Sequence, residues 1–285
     1  MYLGMLGERN GKRNVHLVRP DKYPGLHSPM YFFLSNLSFL DLCITKSFVP
    51  QMLVNLWGPK KTISFLGCSV QLFIFLFLGT TECVFLTVVA FDRYVAVCQP
   101  LHYTNAIHPR LGRQLAAVAW VMGLGQSVVQ TPPTLHLPFC PHWQTDDFVC
   151  EIPSLIQLSS GDTTYNEIQF AVSSVIFLVM TLALILVSYG AIAWAVLRIN
   201  SARAWRKALG TCSPHLTVVA IFYSLVISVY LQPQNPYAQK RGKFFGLFYS
   251  AGTPSLNPLI YTLRNKKVKR AVRRLLAKDE DSRES

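Results

Sequence analysis

The chain has 285 residues, 51% of them hydrophobic and only 14% charged, against roughly 25% charged in a soluble domain. A formal net charge of +13 would suit nucleic acid, but the bases fall in blocks between long charge-free intervals. That arrangement excludes a nucleic-acid partner and describes an integral membrane protein.

Residues 1–26 are basic, rich in Gly, Asn and Arg, and hold no run approaching 18 apolar residues, so neither a first membrane helix nor a signal peptide is expected there. The first span opens at Leu26-His27-Ser28-Pro29-Met30-Tyr31 and runs to about Val54. Pro29 suits a first helical turn, where its missing N–H would be unpaired anyway. This span carries Asp41 and Lys46, which must face protein, water or an ion, or reach an interface.

A loop around Trp57-Gly58-Pro59 leads to Cys68 and the second span, an apolar run from Thr62 to Phe91 whose only charge is Glu82. Phe91-Asp92-Arg93-Tyr94-Val95-Ala96-Val97-Cys98 follows. An Arg at the end of an apolar helix has two alternative partners, the adjacent carboxylate or a group from outside, which is the chemistry of a switch. The competing reading is a snorkelling interfacial pair.

A Pro-broken connection, Gln99-Pro100-Leu101-His102-Tyr103, precedes the third span, about Gln114 to Pro132. The segment from Thr134 to Glu167 contains Cys140, Cys150 and the acids Asp146, Asp147, Glu151, Asp162 and Glu167. A connection this long is functional or disordered, and cysteines on an oxidising side favour the former. The fourth span passes Phe177 and Leu184 to Ser188-Tyr189, and a basic link from Arg198 to Lys207 leads to Thr211-Cys212-Ser213-Pro214-His215-Leu216. The fifth continues to about Tyr230. The sixth runs from Phe244 to Tyr261, where Asn257-Pro258 removes an intrahelical hydrogen bond and gives a hinge or a static kink.

From Arg264 onward, Val268, Ala271, Val272, Leu275 and Leu276 recur at helical spacing among bases, as in an amphipathic helix lying on an anionic leaflet. The expected organisation is a basic segment over 1–26, a bundle over 27–263 and a cytoplasmic tail over 264–285. The fold class is all-α, a polytopic transmembrane helix bundle with six recognisable spans. Lys and Arg concentrate in 1–30, 93–113, 198–207 and 264–285, while the opposite loops hold only Lys60, Lys61, Lys240, Arg241 and Lys243. The positive-inside rule therefore puts the Asp-Arg-Tyr end and the C-terminus in the cytoplasm, and Cys68 with the 134–168 segment outside. Cys212 and His215 lie three apart without further ligands, which does not make a zinc site.

Five strings carry a specific resemblance. They are Pro29-Met30-Tyr31-Phe32-Phe33-Leu34-Ser35-Asn36-Leu37-Ser38, Ala90 to Cys98, Ser188-Tyr189, Lys207-Ala208-Leu209-Gly210-Thr211-Cys212-Ser213-Pro214-His215-Leu216, and Pro254 to Tyr261. Together they resemble the rhodopsin-like G-protein-coupled receptors and, within them, the olfactory receptors, over Leu26 to about Leu276.

The resemblance implies that Arg93 holds the inactive state through Asp92 and is released to contact a G protein, helped by Tyr94, Tyr189 and Tyr261, with Asn257-Pro258 in the last span. It implies that Asp41, Glu82 and Asn257 form a polar site able to hold a sodium ion or a proton. Two membrane-buried carboxylates need a cation, a shared proton or a shifted titration in any case. It implies a Cys68–Cys150 disulfide over the bundle mouth. It also implies a pocket lined by Phe75, Leu76, Gly79 and Thr80, by Ser173, Ser174 and Phe177, by Tyr223, Val226, Ile227 and Tyr230, and by Tyr249. Each of these could equally be ordinary interhelical packing. The implied partners are a small volatile odorant, a stimulatory heterotrimeric G protein and the lipid bilayer, at the plasma membrane.

The sequence departs from the family pattern in several places. Six spans stand where the family has seven, the missing one being the first, with retention in the endoplasmic reticulum as the implied consequence. Ser160 occupies the place of a third loop cysteine and leaves Cys140 unmatched. Lys46, Leu209, Gly210 and Pro214 replace the usual residues. An inactive receptor remnant is therefore the alternative reading. A six-span channel or transporter would show inverted repeats or a filter loop, and none is visible. Asp41 with Glu82 is the only pair that could suggest an enzyme, and a shared cation explains it with fewer assumptions.

Overall fold

In a computed structural model, residues 3–9, 12–18, 29–57, 63–139, 150–199 and 201–230 are described. The sixth span, the C-terminal amphipathic helix, Cys140, Tyr249, Asn257, Pro258 and Tyr261 lie outside them, as does the side chain of Tyr230.

The basic N-terminal segment contains an antiparallel pair of strands, β1 (Leu3–Arg9) and β2 (Lys12–Val18), in register from Leu3 opposite Val18 to Arg9 opposite Lys12. The expectation of an all-α chain therefore holds for the bundle and not for this hairpin. The hairpin's alternation is weak in sequence, which is why no strand is legible there.

The bundle follows. α1 is Pro29–Trp57, α2 Phe65–Cys98, α3 Tyr103–Ala106, α4 Pro109–Leu135 and α5 Ile152–Gln157. α6, Thr164–Ser174, runs through a π-helical turn at Val175–Met180 into α7, Thr181–Ile199, and α8 is Ala202–Tyr230. Pro29 does open α1. Ser64 caps α2, its Oγ accepting from Gly67 N at 3.1 Å.

Four helical stretches among the described residues are long and apolar enough to cross a membrane: Pro29–Pro50, Phe65–Cys98, Thr164–Ile199 and Ala208–Ser228. The expected third span, within α4, is long enough at 27 residues but less apolar. Its Ser127, Gln130, Thr131 and Thr134 are buried against the bundle and away from lipid, with Ser127 donating to the Gly123 carbonyl, Thr134 to the Gln130 carbonyl and Gln130 Nε2 to Ser173 Oγ. The outer faces of α4, α6 and α7 expose Val121, Val128, Ile168, Val172, Leu186 and Val187, the surface a bilayer covers. Several hydroxyls within these helices are satisfied locally: Ser38, Thr45, Thr87 and Ser188 each donate to the carbonyl four residues back.

α2 is the axis, packed against α1, α3, α4, α7 and α8. It runs one and a half to two turns past Phe91, where the sequence suggested its end. Val95 is buried and Tyr94 packs on the core, so the Asp-Arg-Tyr triplet sits inside the helix and not at its exit. The tightest approach is between α2 and α4. A Cβ on Gly123 would lie 2.6 Å from the Phe77 carbonyl oxygen and closer still to the Thr81 hydroxyl. Beside it, Trp120 packs against Phe39, Phe77 and Phe85 and donates to Asn36 Oδ1 at 3.2 Å.

Candidate functional site

Three polar layers cross the bundle. At the basic end, Asp92 is wholly buried and Arg93 is 5% exposed. Arg93 Nε donates to Asp92 Oδ2 at 3.1 Å, and Nη2 makes a second, shorter contact with the same oxygen. The other carboxylate oxygen accepts from Tyr103 Oη at 2.8 Å. Tyr103 comes from α3, which the Pro100 break folds back beneath α2. Burial first, and the Asp92 carboxylate second, push the Tyr103 phenol well above its ordinary range, so its hydroxyl remains a donor.

The next contact joins α7 to α8. Tyr189 Oη lies 2.7 Å from His215 Nδ1, with the two rings stacked at 5.9 Å. His215 is 2% exposed, and the Arg93 guanidinium lies within electrostatic reach of its ring. Tyr103 and His215 were not legible as site residues. The signals available were a buried carboxylate with a second oxygen to satisfy, and an imidazole in an apolar helix.

Midway, Asp41 of α1 and Glu82 of α2 are both buried and within electrostatic reach of each other. Lys46, just over one turn beyond Asp41, is exposed on α1. Among the described residues no group of three or more His, Cys, Asp or Glu could hold a metal ion, Cys212 and His215 included.

At the outer end Cys68 and Cys150 form a disulfide with Cα atoms 5.4 Å apart. The Cys150 N–H donates to Gln71 Oε1 at 3.0 Å, so one turn of α2 holds the loop both covalently and by a hydrogen bond. Leu72, Ile152 and Leu155 close an apolar cluster around it. Outside the membrane, Asp162 accepts from the Thr164 N–H and hydroxyl at 3.0 and 2.7 Å. These bonds hold its carboxyl below the usual range.

The residues expected to line a pocket are partly brought together. Phe75 meets Phe48 edge-on at 5.7 Å, Leu76 joins the outer cluster, and Thr80 is buried with Gly79 beside it. Tyr223 is buried and its Oη is 2.7 Å from Thr181 Oγ1, which also donates to the Leu178 carbonyl at 3.2 Å. That hydroxyl thus ties the π-turn holding Phe177 to α8. Ser174 and Val226 are half-buried. Ser173 instead accepts from Gln130 Nε2 of α4 at 2.6 Å, and Ile227 is 46% exposed, so neither side chain simply faces the bundle axis.

A family model described as olfactory receptor matches residues 2–279. The chain is 80% identical to olfactory receptor 2H1 of Homo sapiens over 263 residues, covering 92% of this chain and 83% of that one. It is 57% identical to olfactory receptor 2C1 of Mus musculus over 253 residues, covering 89% and 81%. Squid rhodopsin, at 17% identity, superposes with a TM-score of 0.69 over 88% of this chain and 72% of that chain, which shows the fold. With a rhodopsin-like bundle, apolar membrane-crossing helices and relatives of this identity, the chain belongs to the olfactory receptor family.

Proposed function

We propose that the chain is an odorant-activated receptor of the plasma membrane that couples to a stimulatory heterotrimeric G protein and raises cyclic AMP. The observation that carries this reading is the division of the Asp92 carboxylate between Arg93 and Tyr103, in the helix that touches every other described span. A ligand that moves α7 and α8 relative to α2 changes what surrounds Arg93, and the guanidinium exchanges Asp92 for a group on the G protein. The ligand needs only differential affinity for the two arrangements. A small volatile molecule with one polar group suits the mixture of apolar side chains and hydroxyls that Phe75, Leu76, Thr80, Phe177 and Tyr223 would offer it. Asp41 and Glu82, as hard oxygen donors, would hold a sodium ion or share a proton between them.

The test is an epitope-tagged full chain in intact cells, scored for surface labelling and for cyclic AMP against an odorant panel. Surface expression with a dose-dependent cyclic AMP rise that Arg93→Ala abolishes is the expected result. A chain that reaches the surface and answers no odorant, or one that stays in the endoplasmic reticulum, overturns the reading in favour of an inactive relative.

A further inference from the structure

The side of α1 turned away from the core carries a charge that receptor activation leaves unused. Phe33, Leu37, Leu40, Ile44 and Phe48 are buried and, at about 100° per residue, fall on one side of the helix. Phe32, Phe39 and Leu42 are 39%, 55% and 58% exposed, and Lys46 is exposed with them. These four share a stripe on the opposite side. Half-buried Ser35 and Val49 complete it, so that Phe32, Ser35, Phe39, Leu42, Lys46 and Val49 recur three and four residues apart. That spacing is the seam along which one helix pairs with another, and Ser35 is small enough to admit a close neighbour.

Lys46 lies inside the membrane-crossing stretch Pro29–Pro50. Phe48, half a turn further on, meets Phe75 of α2 edge-on at 5.7 Å, and Phe75 is two turns, about 10 Å, inside the Cys68–Cys150 disulfide. Because α1 runs toward the disulfide end, Lys46 sits deeper by that half turn. A helical Cβ tilts toward the helix N-terminus, so the lysine stem leaves α1 heading away from the nearer surface. Among the described residues the only ion pair is that of Arg93 with Asp92. An uncompensated ammonium at this depth is expensive, and hydrocarbon offers it no acceptor.

We propose that the stripe docks a membrane-spanning helix of a second protein, and that this helix carries an Asp or Glu at the depth of Lys46. The inference requires the membrane bundle and neither the odorant nor the G protein.

Charge complementarity selects the occupant. A second copy of this chain is the wrong one, since two-fold pairing through the stripe sets Lys46 against Lys46. The acids within its spans, Asp41, Glu82 and Asp92, are at most 3% exposed, so a copy presents no carboxylate to its surroundings at this depth. A lipid phosphate sits at the headgroup level, which Lys46 reaches only by reversing the direction in which its stem leaves the helix. A carboxylate brought by another helix meets the ammonium where it stands, with Phe39 and Leu42 packing beside it. A single polar residue in an apolar seam also fixes the register of the pair, so Lys46 sets the height at which the helix docks.

The test places the labelled full chain in phosphatidylcholine vesicles with labelled membrane-spanning Leu/Ala peptides and reads their association by energy transfer. The peptides carry Glu, Lys or Leu at the depth of Lys46. The expected result is that the Glu peptide associates roughly tenfold more tightly than the Leu peptide. That preference should persist in Lys46→Arg and vanish in Lys46→Leu, while Lys46→Glu should transfer it to the Lys peptide. Retention of the Arg variant's preference also shows that a substituted chain folds. Equal association of the Glu and Leu peptides, a preference that survives Lys46→Leu, or a charge swap that restores nothing overturns the inference. If phosphatidylserine in the vesicles abolishes the preference, the ammonium belongs to headgroups and the inference falls as well.

Discussion

Tyr103 and Asp92, eleven residues apart, are joined by a 2.8 Å hydrogen bond that ties the short helix after the second span back to the carboxylate holding Arg93. Replacing the tyrosine by phenylalanine removes one of the restraints on that carboxylate without touching Arg93. Tyr103→Phe should raise ligand-independent cyclic AMP and lower stability by about 0.5–1.5 kcal/mol, measured as basal signal per surface receptor and as a thermal midpoint. Because the phenol is raised by burial and by Asp92, its contribution is fully present below the ordinary tyrosine value of about 10. It is lost only as pH rises from there through the higher folded value. Basal signal in the unsubstituted chain should therefore not change across neutral pH on account of this group.

The α2–α4 contact tolerates no side chain at Gly123. Gly123→Ala brings a methyl to 2.6 Å from the Phe77 carbonyl oxygen, and backbone cannot yield as a flexible side-chain end does. A cost of about 1–3 kcal/mol should appear as lost surface expression. Gly125→Ala is the control, because a Cβ there meets nothing within 4 Å. It should express at least as well as the parent, alanine being the better helix former.

Cys68 and Cys150 close a loop with a sequence separation of 82. By chain entropy such a crosslink contributes about 4–5 kcal/mol, so Cys150→Ser should lower the thermal midpoint sharply. Gln71→Leu leaves the disulfide intact but strips the Cys150 N–H of its acceptor. It should cost less, about 1–3 kcal/mol, with the disulfide still formed by mass spectrometry.

Thr181 and Tyr223 couple the π-turn to α8 through a 2.7 Å contact between hydroxyls. A double-mutant cycle with Thr181→Val and Tyr223→Phe should return a coupling of about 0.5–1.5 kcal/mol. Additive single effects would mean that the bond does not operate between them.

What the sequence made legible was whatever is written in composition and local spacing. The apolar runs located the spans, Pro29 located the start of α1, and the resemblance supplied the Cys68–Cys150 bridge. What stayed hidden depends on packing between distant residues. Nothing local says that α2 continues to Cys98, because Asp92 and Arg93 look like a helix exit until Tyr103 is seen to bury them. That Ser173 bonds Gln130 follows only from α4 and α6 sharing a seam, and Ile227 entered the expected pocket through the resemblance, which does not say which way its side chain faces. The hairpin over Leu3–Val18 had no alternation strong enough to announce it.

The closeness of Gly123 to Phe77 and Thr81 has a mechanical consequence. Helices that touch backbone to backbone cannot slide without collision, so α2 and α4 form a stator. α7 and α8 instead join the core through side chains such as Ile185, Val218 and Phe222, and add hydroxyl and imidazole contacts that can be exchanged one for another. Side-chain packing can repack where a backbone collision cannot, so a shift of α7 and α8 meets less resistance than a slide of α4 along α2.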